Sequence, residues 1–269
     1  MNKFIIFTTL LFTGFLTAQV SENREVAEFS KLKVSSSIDV FYTISDKVSI
    51  KVETDDAEKL KLIKTEVVGG TLLLSIDTDN YKKNKNREKD KKKDKNRSNV
   101  SFINGVDFQV LKITISGPNL EAIKASSSAF IKLQNVNKSD NLDISVSSSG
   151  TIKGNFEANS ITVQASSSGE FTAEVVAKSA IIESSSSSTV TLDGKATDLN
   201  CKASSSGDCN LQEFRVENAT VLASSSGSIE LYASKSIEAK ASSSGSIYFY
   251  GNPANVTKEM SSSGSISKK

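Results

Sequence analysis

Glu170 and Asp208 are the carboxylates whose placement could do chemistry. Each stands four residues after the first serine of a Ser-Ser-Ser triplet, Ser166 and Ser204. If the triplets mark equivalent points on stacked turns of chain, the two acids lie two turns apart, about 10 Å by the spacing of adjacent strands. That is near the upper end of the separation found in an inverting glycosidase pair. Thr189 stands between them, and Glu230 shares the face two positions further along. The competing reading is ordinary surface charge, because no cleft-forming insertion or aromatic platform surrounds them. The chain has no histidine, which excludes a Ser-His-Asp triad, a His-bearing zinc site and imidazole acid–base catalysis. Two cysteines cannot fill a four-cysteine zinc site. No phosphate-loop or dinucleotide motif is present, so neither metal nor cofactor is expected.

Other residues suit binding better than catalysis. Residues 82–97 hold ten Lys or Arg against three Asp or Glu, a net +7, with Arg87, Lys91, Lys92 and Lys93 at the centre. The whole chain is only +2, so the rest of the protein is acidic. Such a run reads as a solvated, disordered insertion, or as a contact for an anionic polymer such as lipopolysaccharide, acidic polysaccharide or extracellular DNA. The aromatic interleaving of a single-strand nucleic-acid platform is missing, so no specific nucleic acid is expected. Tyr248 and Tyr250 flank an inward Phe249 and suit either sugar stacking or packing at the end of the fold. Cys201 and Cys209 share inward parity. Export would permit a disulfide if the two Cα atoms lie within about 7 Å; otherwise they are buried free thiols.

The elements that must carry these residues emerge from an internal repeat. Triplets of serine begin at 126, 147, 166, 185, 204, 224, 242 and 261, and a ninth occupies Ser35–Ser37. The steps are 21, 19, 19, 19, 20, 18 and 19 residues. Five residues after each first serine stand Ile131, Ile152, Phe171, Val190, Cys209, Ile229, Ile247 and Ile266. Three before stand Ile123, Ile144, Val163, Ile182, Cys201, Val221 and Ala239, with Lys258 breaking the rule in the last repeat. These positions share one parity with the residue just before the triplet, the period of two that marks a half-buried strand. Independent hairpins would not need the same apolar columns in every unit; stacked coils do. The repeat is short for two helices, and the leucine consensus of a leucine-rich repeat is absent. The expected fold is all-β, a right-handed parallel β-helix (β-solenoid) with coils of about 19 residues and a rod of roughly 40 Å for nine coils.

Serine contributes 47 residues, 27 of them in the nine triplets. Counting parity through the triplet turns its middle serine inward, which predicts an internal ladder of Ser127, Ser148, Ser167, Ser186, Ser205, Ser225, Ser243 and Ser262. The following glycine also turns inward, and the two outer serines face solvent. Stacked hydroxyls can bond along a ladder and to backbone. The outward serines form a two-column array that could instead meet a sugar chain or an ordered water lattice.

Residues 1–18 read as a signal peptide: Lys3, an apolar run from Phe4 to Leu16, and a small-residue exit at Thr17-Ala18. Residues 19–269 are expected to form one β-helix domain. Within it, 19–117 supply N-terminal coils or a cap with the basic insertion at 81–99, and 118–269 carry the regular repeats. The mature chain offers no apolar stretch near 18 residues, so no membrane-spanning helix is expected.

The repeated Ala-Ser-Ser-Ser-Gly-Ser-Ile, at Ala223–Ile229 and Ala241–Ile247, resembles the bacterial domain described as "putative auto-transporter adhesin, head GIN domain". So do the strand Lys47–Val52 and the segment Val67-Val68-Gly69-Gly70-Thr71-Leu72-Leu73. The resemblance runs from about Val26 to Ser267. It implies an exported β-helix of the bacterial envelope, in the periplasm, on the outer-membrane surface or secreted, with adhesion by surface contact and no catalytic residues. A polysaccharide-binding or polysaccharide-cleaving β-helix is the alternative.

Overall fold

The computed structural model describes residues 19–78 and 101–269. The chain forms a β-solenoid of about eight turns. Its regular part is five long strands, Thr151–Ala165, Glu170–Ser184, Thr189–Ala203, Asp208–Ala223 and Ser228–Ala241, each one whole coil paired in parallel with the next. Glu170–Ser184 shows how a coil closes. Phe171, Ala173 and Val175 are buried, then Ala180, Ile182 and Ser184. The parity changes between the two sets, so a bend at 176–179 folds one half of the coil onto the other. The Ser-Ser-Ser corner closes the opposite side.

Stacking in register turns the sequence columns into packed columns. Ile152 pairs with Phe171, Phe171 with Val190, Val190 with Cys209 and Cys209 with Ile229, and all are essentially excluded from solvent. Each full burial of such an aliphatic or aromatic side chain contributes about 1.5–3 kcal/mol. The 20- and 18-residue steps come from irregularities in two successive coils. The pairing register shifts between Thr191 and Gly194, again between Leu211 and Arg215, where Gln212 and Glu213 bulge, and further between Val216 and Asn218.

The first triplet joins the same stack, although about ninety residues separate it from the next. Lys31–Val34 pairs in parallel with Ala122–Ala125, and Asp39–Ile44 with Phe130–Leu133. The intervening chain builds one further layer from two distant pieces. Thr71–Ile76 lies beside Lys31–Val34, and Leu111–Gly117 beside Asp39–Ile44. The segment joining those two pieces, which includes the basic run, leaves from the place that a serine corner holds in other coils. Antiparallel strands flank this end: Ser49–Thr54 on Leu111–Gly117, Val20–Arg24 on Ser49–Thr54, and Ile63–Val68 on Thr71–Ile76. A single helical turn, Ala57–Leu60, is capped by the Asp56 carboxylate, which accepts from the Glu58 N–H at 2.8 Å.

The other end is bare. The last coil is Asn255–Met260 and Ser265–Lys268, and every residue of Asn255–Met260 is exposed. Val256 and Met260 hold positions that are buried in the preceding coils, yet they are 45% and 54% exposed. This accounts for Lys258 in an otherwise apolar column. None of the described residues covers it, and its ammonium lies 4.9 Å from the centroid of the Phe249 ring, a cation–π contact.

One expectation is corrected at the corners. The middle serines do not point inward. Ser127, Ser148, Ser167, Ser186, Ser205, Ser225, Ser243 and Ser262 are all exposed, as are the third serines beside them. The second and third residues of every triplet adopt left-handed backbone, φ 48 and 63° at Ser243 and Ser244 for example. Alternation holds only in extended chain. Two successive left-handed residues turn the chain, and the residue after them re-enters the core as Ala129, Gly150, Gly169, Ser188, Gly207, Gly227 or Gly245. The corners are nonetheless tied together, through backbone. The third serine's N–H donates to the middle serine's carbonyl in the next coil, from Ser37 to Ser127 at 2.9 Å through Ser244 to Ser262 at 3.2 Å. Eight such bonds link the nine corners.

Candidate functional site

The outward face of the strands that precede the triplets carries a concavity of about 1160 Å³, larger than two others of about 420 and 490 Å³ among the described residues. Its floor is built by outward positions on successive coils: Thr71 and Leu73, then Lys31 and Lys33, then Ala122 and Lys124, then Asp143 and Ser145, then Thr162 and Gln164. Val68, at the end of a flanking antiparallel strand, forms one wall. Asn119 and Glu121, with the stretch 138–141, form the other.

That second wall is held by a buried asparagine. Asn137 stands in register with Phe156, at an apolar column, and is fully buried. Its Oδ1 accepts from the Leu120 N–H at 2.7 Å, and its Nδ2 donates to the Leu120 carbonyl at 2.9 Å. The Lys138 N–H adds a bond to Asn119 Oδ1 at 2.8 Å. The wall's acids are engaged as well. Glu121 accepts from the Ser30 hydroxyl at 3.0 Å and Asp140 from Asn159 at 2.7 Å. Lys138 pairs with Glu157 at 2.8 Å. Lys31, Lys33 and Lys124 are exposed and make no ion pair or side-chain hydrogen bond with the described residues.

The residues singled out in the sequence lie elsewhere. Glu170 and Asp208 do share a column, through Thr189. Glu170 is paired with Lys153 at 3.2 Å and accepts from the Thr172 hydroxyl at 3.2 Å, while Asp208 is exposed. Neither lines the groove. Among the described residues no cluster of three or more Cys, Asp or Glu could hold a metal. Arg87, Lys91, Lys92 and Lys93 lie outside the described residues, as does the segment 1–18. None of the helices among the described residues is long and apolar enough to cross a membrane.

Phe249 is buried, and Tyr248 and Tyr250 face outward, half-buried. The Lys269 ammonium lies 4.7 Å from the Tyr248 ring centroid. Tyr250 stands in register with Tyr232, which carries the Arg215 guanidinium at 4.2 Å over its ring. The bulge at Gln212 and Glu213 brings Arg215 into that column, and no fixed spacing from the triplet would reveal it. Cys201 and Cys209 are free and buried, on either side of the Ser204–Ser206 corner. The hydrogen bond that Cys201 donates to Cys209, together with burial, pushes the Cys201 thiol well above its ordinary range, which disfavours Cys201 as a nucleophile.

The stacked coils display successive outward columns on their surface. The chain belongs to the family described as "Putative auto-transporter adhesin, head GIN domain", whose profile matches residues 28–174 and 153–253. Comparison with curated proteins found no match. Among solved structures, a "putative lipid binding protein" from Parabacteroides distasonis is similar at 22% identity and TM-score 0.76, covering 93% of this chain and 96% of its own. A "putative adhesin" from the same species is 19% identical at TM-score 0.78, with 94% and 97% covered. A "putative adhesin" from Parabacteroides merdae is 16% identical at TM-score 0.74, with 93% and 96% covered. These likenesses establish the shared fold. The family's description points to a surface role without catalysis.

Proposed function

We propose that the protein is exported and works by surface contact, holding a glycan or an anionic envelope polymer without cleaving it. The observation that carries this reading is the lining of the groove: Lys31, Lys33 and Lys124 without an ion-pair partner among the described residues, beside amides and hydroxyls. The carboxylates in a glycosidase-like column, Glu170 and Asp208, lie outside the groove, and Glu170 is paired with Lys153. The segment 1–18, with its charged start, apolar run and small-residue exit, supports export. The family's description as an adhesin supports contact as the mode of action. The test is a glycan and lipopolysaccharide array probed with the intact mature protein at low salt, and with a variant lacking residues 82–97. Retention of at least one carbohydrate class without its hydrolysis is expected. Absence of all binding, or release of shortened oligosaccharides, refutes the reading.

A further inference from the structure

From the unpaired lysines of the groove we infer a specific site: Lys31, Lys33 and Lys124 form a receptor for the anionic substituent of an acidic polysaccharide, whose hydroxyl-bearing chain runs on along the floor toward Gln164. The inference deepens the surface-contact reading and rests on it.

The argument begins with charge placement. Lys33 and Lys124 are direct neighbours in register on adjacent parallel strands, about 4.8 Å apart at the backbone. Lys31 is on the same face two residues before Lys33, about 6.6 Å along the strand. Like charges set directly opposite one another destabilise a sheet. Like charges face each other elsewhere too, Lys132 opposite Lys153 and Glu174 opposite Asp193, but several lysines of the rod reach a carboxylate. Lys240 reaches Glu238 and, one coil on, Glu259 at 3.4 Å. Lys153 reaches Glu170 across one coil, Lys235 reaches Glu217 at 2.6 Å, and Lys138 reaches Glu157. The three lysines of the groove make no such pairing with the described residues. The nearest free carboxylate on the floor, Asp143, is on the strand next to Lys124 but two residues out of register, opposite Ala122, about 8 Å from Lys124 at the backbone. An anion placed among the three ammoniums relieves their repulsion and gains charge-assisted hydrogen bonds.

The remainder of the groove selects the kind of anion. Beyond the lysines the floor continues as Ser145, Thr162 and Gln164, flanked by Asn119 and Asn141. These groups offer donors and acceptors that match a polyhydroxylated chain. Leu73 and Val68 are the only larger apolar side chains with exposed surface, at one margin, too little for an acyl chain. No aromatic lines the groove to stack a nucleobase. The wall that fixes its width is rigid, because Asn137 is buried with both ends of its amide bonded to Leu120. The site is therefore preformed, which reduces the ordering cost of binding.

The test uses the mature full-length chain, polygalacturonate as acidic probe, dextran as neutral probe, and phosphatidylglycerol vesicles as a lipid anion. Binding to polygalacturonate that weakens with salt is expected, with little binding to dextran or vesicles. Lys33→Glu combined with Lys124→Glu should weaken it at least tenfold. Lys202→Glu lies in the same outward column but beyond the groove and should leave it unchanged. Deleting residues 82–97 should leave a component that the double substitution then removes. Thermal melts of all variants check that the fold is intact; the exposed sites make this the expected result. Polygalacturonate affinity unaltered by the double substitution, equal affinity for dextran, or preference for vesicles overturns the site. If the array binds glycans and the double variant still does, the site is wrong and surface contact stands. If nothing binds the intact protein, the broader reading fails first.

Discussion

Replacing Gly207 with alanine tests the corner geometry most sharply. A Cβ built on Gly207 would lie 2.4 Å from the Ser184 carbonyl oxygen, 2.5 Å from its carbon and 2.7 Å from the Ser185 nitrogen. Real Cβ atoms essentially never approach closer than 3.0 Å, so the corner must move by more than half an ångström, against backbone and not a yielding side chain. The motion would strain the Ser204 N–H bond to Ser184 and the Asp208 N–H bond to Ser188, both 2.9 Å. Overpacking of this kind costs about 1–3 kcal/mol. In a domain of this size about 2 kcal/mol corresponds to a fall in Tm of roughly 4–8 °C. The comparison within the rod is instructive. Ala129 and Ser188 occupy the same column, and Ser188 is accommodated by an exchange in which its hydroxyl accepts from the Ser185 N–H at 3.0 Å and meets the Ser184 hydroxyl at 2.9 Å. A Cβ is tolerated where the neighbouring corner is built around it; at Gly207 the partner corner is not. The assay is thermal unfolding followed by far-UV circular dichroism. A Gly207→Ala protein melting within 1 °C of the parent, an assay tolerance of roughly 0.3–0.5 kcal/mol, would refute the close approach of successive corners.

The exposed left-handed serines make a complementary prediction: Ser205→Gly should be neutral or stabilising by up to about 1 kcal/mol, while Ser205→Val should destabilise by about 1–3 kcal/mol; equal melts for the two would contradict the positive φ. Asn137→Ala strands the backbone groups of Leu120 in the core and should lower stability by about 1–3 kcal/mol, read by chemical denaturation. It should also weaken polygalacturonate binding by loosening the groove wall. Glu53, nearly buried, is held below the usual carboxylate range by its hydrogen bond from Lys51, with burial opposing and Lys112 reinforcing. A depressed pKa adds stability above the unfolded-state value that is lost as pH falls through the folded one. Glu53→Gln should therefore flatten the acid limb of a stability–pH profile, and an unchanged limb would exclude this contribution.

Much of the architecture was legible because stacking imposes one rule on every coil. Ile131, Ile152, Phe171, Val190 and Ile229 recur at a fixed offset from a triplet, and each was assigned to the core from that offset alone. The serine corner was misread for a physical reason. Parity presumes extended chain, and two left-handed residues such as Ser205 and Ser206 break it without any signal in residue type, since serine adopts that conformation only uncommonly. The groove was not legible at all. Lys31 and Lys33 are about ninety residues from Lys124 in sequence, and they meet only because the first triplet stacks on the second while the chain between them builds another layer. Asn137 sits at a column where its neighbours are apolar, a departure that would have marked the wall had the register of that coil been known. The Arg215–Tyr232–Tyr250 column depends on a bulge, which spacing alone does not place.

The chain of backbone bonds from one serine corner to the next has a consequence for how such a protein can change. Every corner presents the same donor and acceptor to its neighbours, whatever the side chains of the coil between. Excising residues 170–188 would join Gly169 to Thr189, already its neighbour across the corner through the Thr189 N–H bond to the Gly169 carbonyl at 3.0 Å. The coils on either side would meet on matching surfaces. Rod length is in this sense a number that duplication or loss of single coils can adjust in steps of about 4.8 Å. The distance between the flanked end, where the groove lies, and the bare end is free to vary while both ends keep their structure.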